Sequence, residues 1–191
     1  SKIFVAKVDI ANFYHNLLLP SWLWPYFALP PVNASELGCL PGFANGQTLI
    51  YPCCKTLPMG WSHSVILAQQ ANLNVIYSRT TIQVADSVLP THDCHLDRVR
   101  HLVYIDDVVF LGHSSDAVAS LQNEYVTACG VVKLPVKKSK LVLPSASGVE
   151  VLGLFLDGVS HRYGLSAPKM AQLLHATVMF LRRQSCTGIE L

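Results

Sequence analysis

The segment HLVYIDDVVFLG, residues 101–112, places two adjacent acids in the middle of apolar, largely β-branched sequence. Apolar residues 103–105 precede the acids and apolar residues 108–110 follow them. Such runs are typical of buried strands, and a polar pair between them marks a tight turn. We therefore predict a β-hairpin that carries Asp106 and Asp107 at its turn.

Two neighbouring carboxylates in apolar surroundings are unfavourable without a compensating cation. Each repels the other, which raises the pKa of at least one of them, and burying an unpaired charge is costly. The nearest basic residues are Arg98 and Arg100, several positions earlier along the same predicted strand. By itself the pair is equally typical of a solvated polar turn, in which Asp is common.

A third acid, Asp9, favours a functional interpretation of the pair. Among the first 80 residues the only acids are Asp9 and Glu36, and Asp9 lies near the end of the apolar run that starts at Ile3. Three carboxylates on two core strands supply the oxygen ligands that hard divalent cations prefer. Two such ions roughly 3.5–4 Å apart can stabilise the attacking and leaving oxygens of a phosphoryl transfer. The residues thus suggest, as a hypothesis, a metal-dependent site at the hairpin turn.

The composition indicates a protein with large apolar surfaces. The chain has 191 residues, a net charge of +2 and 14% charged residues, against roughly 25% in ordinary soluble domains. Its mean hydropathy is +0.35. We expect one domain, or one and part of a second, whose exposed apolar patches contact neighbouring domains. The small net charge excludes strong long-range steering of a charged partner.

Neither membrane insertion nor secretion is expected. The uncharged segment 10–35 is long enough to cross a bilayer, but its polar residues and its prolines at 20, 25, 30 and 31 argue against a spanning helix. The N-terminus lacks the basic-then-apolar layout of a signal peptide. The six cysteines form no C-x-x-C pair. We therefore expect reduced thiols and an intracellular protein.

The rest of the pattern predicts strands mixed with helices, the α+β fold class. Besides the hairpin, strands are expected at 3–10, 24–29, 48–51, 131–134, 140–143 and 149–156. Helices are expected from a cap at Ser62 or Ser64 to about Tyr77, from Ser115 to a C-cap at Gly130, from about Pro168 to Arg183, and at 185–191. Residues 80–98 are predicted as loop, and residues 12–19 fit either a helical turn or extended chain.

Three motifs follow one another along the chain: DIANFY at 9–14, LPMGWSHS at 57–64 and YIDD at 104–107. In this order and with these separations they resemble palm motifs A, B and C of the reverse transcriptase family. Three later segments resemble motif D, motif E (the primer grip) and the entry into the thumb: KKSK at 137–140, VLGL at 151–154 and YGLSAPK at 163–169. The resemblance covers nearly the whole chain.

The resemblance implies a right-hand polymerase palm, with an antiparallel sheet packed on helices, partial fingers and the start of a thumb. The palm would cover residues 1–160, with partial fingers at about 20–58, and the thumb or connection would start within 161–191. The implied activity is RNA-directed DNA synthesis from dNTPs on an RNA or DNA template-primer. Within the family, LPMG together with YIDD favours a retrotransposon-like element of the LTR, tyrosine-recombinase or pararetroviral kind.

The resemblance assigns metal ligands residue by residue. Asp9 and Asp106 would bridge two Mg²⁺ ions, with Mn²⁺ as a possible substitute, and Asp107 would be more peripheral. The backbone carbonyl of Ile10 would help to hold the ion on the nucleotide side. All three acids would be catalytic residues in this scheme.

Nucleotide contacts are implied at four positions. Tyr14 is at the steric-gate position, where an aromatic ring crowds a ribose 2′-OH; a core aromatic is the alternative interpretation. Met59 and Gly60 would lie near the incoming nucleotide, although a plain turn glycine is the alternative for Gly60. Lys138 is the best match for the motif D lysine, a proton donor to the leaving pyrophosphate, but the other lysines of the motif are too close to decide between them.

Primer contacts are implied at Tyr104, which would lie under the primer terminus, and at Leu152 and Gly153 in the primer grip. Ser64 matches the motif B serine or is simply a helix cap. The family's fingers strands normally precede the position of Asp9. The remaining fingers, the thumb and an RNase H part of a longer polyprotein are therefore expected partners, and activity of the isolated 191 residues is in question.

Two other functions stay open. One is a domesticated, catalytically silent palm that serves as a nucleic-acid-binding or assembly scaffold, although three intact acids argue against decay. The other is a polymerase that makes RNA, which Tyr14 disfavours.

Overall fold

The computed structural model of the chain describes residues 1–37, 48–89 and 94–182, which form the predicted α+β fold. The strands are β1 (Phe4–Asp9), β2 (Val32–Asn33), β3 (Leu49–Ile50), β4 (Arg100–Tyr104), β5 (Asp107–Gly112), β6 (Val142–Ser145), β7 (Val149–Val151), β8 (Leu154–Asp157) and β9 (Arg162–Leu165). The α-helices are α1 (Phe13–Asn16), α2 (Ser64–Arg79), α3 (Ser115–Val131) and α4 (Ala167–Leu181). Short 3₁₀ segments lie at Ser21–Phe27, Ala34–Leu37, Val84–Asp86 and Lys138–Lys140.

A four-stranded antiparallel sheet in the order β4-β5-β1-β6 forms the centre of the molecule. β4 and β5 form the predicted hairpin, in which Tyr104 pairs with Asp107 across the turn at 105–106. β1 lies beside β5, with Asp9 directly opposite Asp107. The first strand and the hairpin are therefore confirmed, and they are neighbours in one sheet.

Both faces of the central sheet are covered, by different elements. Val108 packs into the main apolar core with residues of α2 and α3. Val109 faces the opposite way and packs against β7, which forms a separate three-stranded antiparallel sheet with β8 and β9. Because side chains alternate along a strand, Lys7, Asp9 and Asp107 belong to the face that carries the small sheet.

Two strand predictions in the first half have different outcomes. The run at 48–51 is confirmed in part, since β3 pairs with β2 there. The run at 24–29 is wrong, because most of it belongs to the 3₁₀ segment Ser21–Phe27. Pro25 lies inside that segment, and proline has no N–H to donate to a sheet ladder.

The end of α3 replaces a predicted strand. Residues 131–134 are not extended, and Gly130 lies inside the helix rather than at its cap. The helix ends in a Schellman motif, in which Lys133 has the left-handed φ of 60° and the N–H of Leu134 donates to Cys129 O at 2.9 Å. The following 3₁₀ turn then delays the strand predicted at 140–143, which begins at Val142.

The strand predicted at 149–156 is in fact a hairpin of β7 and β8. Its turn consists of Leu152 and Gly153, with φ values of 48° and 86°. Positive φ at both central residues is the requirement of a type I′ turn, the connection that best fits the twist of a two-residue hairpin. The sequence did not predict this turn, because leucine rarely adopts a positive φ.

The remaining helix predictions hold apart from details at their ends. α2 begins at Ser64, but neither Ser62 nor Ser64 caps it: the N-cap is His63, without a side-chain cap bond. α4 begins one residue before the predicted Pro168. The helix predicted at 185–191 lies outside the described residues. No helix in the described ranges is long and apolar enough to cross a membrane.

A buried histidine in β4 makes the fold sensitive to acid. His101 is 1% exposed, and its Nε2 lies 3.0 Å from the Tyr77 hydroxyl. Burial lowers the pKa of His101 below its ordinary value near 6.5, although Asp86 opposes the shift. The folded chain therefore resists a proton that the unfolded chain accepts, so stability is lost as the pH falls below about 6.5.

We expect the melting temperature of the wild type to fall more steeply between pH 7 and 5 than that of His101→Gln, which has no imidazole to protonate. His175→Gln, on the exposed surface of α4, is the matched control and should follow the wild type. Thermal unfolding over this pH series measures the difference. Parallel curves for wild type and His101→Gln would contradict the prediction.

Candidate active site

The three predicted acids lie at one end of the central sheet. Asp9 is the last residue of β1 and Asp107 the first of β5, and the two are directly opposite each other. Asp106 occupies the hairpin turn, where the N–H of Ile10 donates to its carbonyl oxygen at 3.0 Å. The antiparallel pairing of β1 with β5 thus brings together acids that are 97 positions apart in the chain.

Two lysines neutralise two of these acids. Lys140 Nζ lies 2.7 Å from Asp9 Oδ2, and Lys7 Nζ lies 3.0 Å from Asp107 Oδ1. Like charges directly opposite in an antiparallel pair are destabilising, so these ion pairs offset the repulsion between Asp9 and Asp107. From the sequence, Arg98 and Arg100 were the bases nearest to the hairpin acids, and neither lysine was identified as a partner. Arg100, one of the two bases nearest in sequence, pairs instead with Asp97 at 2.6 Å.

Asp106 carries the least compensated of the three charges. Burial raises the pKa of its carboxyl, and the charges of Asp107 and Asp9 raise it further, whereas Lys140 lowers it. The turn therefore holds a carboxylate that favours a proton or another cation as its counter-charge.

The donor chemistry of this cluster fits a hard divalent cation, because carboxylate oxygens are the ligands that Mg²⁺ and Mn²⁺ prefer. Within the described ranges, no three His, Cys, Asp or Glu side chains lie close enough to hold one ion in common. The charges of Asp107 and Asp9 both act on the Asp106 carboxyl. A cation bound there would compete with Lys140 for Asp9.

The predicted nucleotide residues lie on three different elements. Tyr14 lies in α1, and burial chiefly, followed by the Asp106 charge and Tyr104, raises the pKa of its hydroxyl. The Tyr14 hydroxyl therefore experiences the charge of Asp106. Met59 is 69% exposed. Gly60 has a φ of +96° with open space around an added Cβ, so its backbone conformation rather than crowding favours glycine there.

Of the three lysines in KKSK, the structure brings Lys140 rather than Lys138 to the acids. The backbone N–H of Lys137 donates to Asp9 O at 2.8 Å. In a 3₁₀ turn residues three apart lie on the same side, so Lys140 follows Lys137 onto Asp9. The nucleotide role assigned to Lys138 stays a prediction.

The predicted primer residues surround the same region. Tyr104 is 55% exposed beside the turn. Leu152 and Gly153 line a cavity of about 370 Å³ together with Asp107 and Lys140. The turn of the small sheet and Asp107 of the central sheet thus line the same cavity.

A larger and mainly apolar cavity of about 740 Å³ lies elsewhere, between α2 and the segment that follows α1. Its described lining includes Leu18, Trp22 and Ile66 but no acid. Without charged groups it offers no chemistry that competes with the acid cluster as the candidate active site.

Sequence reasoning missed the polar groups that hold the hairpin turn. Gln69 and Asn72 of α2 contact the backbone of the turn, and Ser64 Oγ donates to Pro58 O at 2.5 Å instead of capping the helix. The available signal was two amides three residues apart on the same helix, since that spacing places both on one face.

The chain is similar to known proteins in both sequence and fold. The sequence matches the family model described as "Reverse transcriptase (RNA-dependent DNA polymerase)" over residues 1–156. Among solved structures, the chain is similar to the foamy viral protease-reverse transcriptase dRH in complex with ds DNA, with a TM-score of 0.61 and 13% identity. The match covers 98% of this chain and 25% of that chain, so the fold corresponds to about a quarter of it. None of the curated proteins matches the chain.

Proposed function

The chain belongs to the reverse transcriptase family, and from this membership we propose that it is the palm of an RNA-directed DNA polymerase that extends a primer 3′-OH with dNTPs. The observation that carries the proposal is the meeting of Asp9, Asp106 and Asp107 at one end of a palm-like sheet. Their sequence motifs are far apart, and only the pairing of β1 with β5 unites them.

In the proposed mechanism, Asp9 and Asp106 would hold two Mg²⁺ ions, with the Ile10 carbonyl as a further ligand. When bound, these ions supply the positive charge that stabilises the attacking and leaving oxygens. Asp107 would stay paired with Lys7, in the more peripheral role that the resemblance implies for it. Lys140 is the lysine best placed to leave Asp9 for a phosphate, because half of its side chain is exposed.

We propose that Tyr14 selects the sugar of the incoming nucleotide. The Asp106 charge acts on its hydroxyl, and in this role its ring would crowd a 2′-OH. Tyr14→Ala is expected to raise ribonucleotide incorporation relative to deoxynucleotides by about tenfold, the usual scale for opening a steric pocket. Tyr26→Ala, at an exposed tyrosine, is the control. The ratio of kcat/KM for the two sugars is measured; an unchanged ratio would remove Tyr14 from this role.

The wider context is part of the same proposal. Residues 1–160 would form the palm, with partial fingers at about 20–58, and residues 161–191 would start the thumb. The exposure of α4 supports a further domain that packs on it, since none of the described residues of this helix is buried. A retrotransposon-like element inside the cell would supply the rest of the polymerase, and an RNA or DNA template-primer would be the partner.

One observation favours the alternative of a silent palm used as a scaffold. Lys140 and Lys7 already compensate Asp9 and Asp107, so the cluster does not require a metal for neutrality. Primer extension on an RNA template separates the two functions, with Mg²⁺ or Mn²⁺ and the complete polymerase that contains this chain. Template-dependent dNTP incorporation supports the polymerase. Binding of the template-primer without incorporation would support the scaffold and overturn the polymerase proposal.

A further inference from the structure

The turn that carries Asp106 is held in an unfavourable backbone conformation. Ile105 has a φ of 54°, a left-handed conformation that is a genuine outlier for a β-branched residue. A positive φ at the first central residue is the pattern of a type II′ turn, where glycine is the usual residue. Something outside the turn must therefore hold Ile105 in place.

Two amides from α2 satisfy the backbone of Ile105 on both sides. Gln69 Oε1 accepts a hydrogen bond from the Ile105 N–H at 2.7 Å, and Gln69 Nε2 donates to Val103 O at 3.0 Å. Asn72 Nδ2 donates to Ile105 O at 2.7 Å. The backbone groups dictate the orientation of each amide, because an N–H can only donate and a carbonyl can only accept.

The third helix of the fold completes the arrangement. The Tyr125 hydroxyl on α3 donates to Asn72 Oδ1 at 2.6 Å, and both side chains are fully buried. Asn72 therefore cannot turn without leaving a buried polar group unpaired, which is costly. On the other side of Asp106, the N–H of Ile10 donates to its carbonyl, so the peptide groups on both sides of Asp106 are fixed.

We propose that Gln69 and Asn72, backed by Tyr125, are positioning residues that hold Ile105 in its left-handed conformation and thereby set where the Asp106 carboxylate points. The consequence for catalysis rests on the proposed polymerase function, but the consequence for the turn does not. The three residues come from two helices that pack on the opposite face of the sheet from Lys7 and Asp107, so they act on the site only through the turn.

Neighbouring glutamines on α2 provide a matched test. Gln69→Met removes the amide with little change in size, and Gln70→Met makes the same change at an exposed position. Hydrogen exchange of the Ile105 amide, measured in the chain without substrates, should quicken by about tenfold in Gln69→Met. It should not change in Gln70→Met. Equal exchange in the two variants would overturn the proposal, whether or not the wild type extends primers.

A second measurement separates positioning from mere stabilisation. In the complete polymerase, Gln69→Met should lower kcat by about tenfold, because a small displacement of a catalytic group slows the reaction strongly. The KM for dNTP should change little. Ile105→Gly removes the unfavourable conformation, because glycine adopts a positive φ readily. Adding Gln69→Met to Ile105→Gly should therefore lower kcat much less than adding it to the wild type. An equal loss in both backgrounds would show a general structural role and overturn the proposal.

Discussion

Asp106→Asn is expected to lower primer extension by the complete polymerase by about 1000-fold, equivalent to roughly 4 kcal/mol of transition-state stabilisation. The change keeps the shape of the side chain but removes the charge that would hold a cation at the turn. Asp116→Asn, at an exposed acid near the start of α3, is the matched control and should extend primers normally. Single-nucleotide incorporation on an RNA template provides the measurement.

The same variant should be at least as stable as the wild type in the absence of metal. The raised pKa of Asp106 means that the fold disfavours its charged form, so its ionisation weakens the fold as the pH rises above the ordinary range of an aspartate. Removing that charge therefore should not lower the melting temperature at pH 7. A large loss of stability in Asp106→Asn would mean that its inactivity reflects misfolding. Primer extension by Asp106→Asn at the rate of the wild type would exclude Asp106 as a metal ligand.

Gly158→Ala is expected to lower the free energy of unfolding by about 3 kcal/mol, at the upper end of what overpacking usually costs. A Cβ at this position would lie 1.8 Å from Ile3 O. The contact cannot open easily, because the N–H of Ile3 donates to Gly158 O at 2.9 Å. The small sheet and the start of β1 are joined at this point, so the backbone at Ile3 or Gly158 must move to accommodate a methyl group.

Gly130→Ala provides the matched control for this experiment. Nothing lies within 4 Å of a Cβ added at Gly130, and the residue is inside α3, where alanine is favoured over glycine by about 1 kcal/mol. Denaturant unfolding should therefore show opposite signs for the two substitutions. Similar effects of Gly158→Ala and Gly130→Ala would mean that the junction between Ile3 and Gly158 is looser than the structure shows.

Much of the framework could be predicted because its signals are local. The apolar run of β1, the hairpin around residues 105–106 and the helix from Ser115 each follow from periodicity within a few residues. The family and the identities of the three acids followed from motif order, which tertiary contacts do not alter. Two of the strand predictions failed where a single residue has a positive φ, at Lys133 and Leu152. Lysine and leucine rarely adopt that conformation, so the sequence did not indicate it.

The charges and supports of the candidate site could not be read in the same way. That Lys140 pairs with Asp9 depends on a 3₁₀ turn 131 positions further along the chain. That Ile105 is held by Gln69 and Asn72 depends on how α2 packs against the sheet.

The sequence by itself therefore determined the fold class, the family and which acids to consider. The tertiary structure alone decided which lysines compensate those acids and which amides hold their turn. The physical reason is range: backbone patterns act over a few residues, whereas an ion pair or a buried hydrogen bond joins groups whose separation only the packed chain defines.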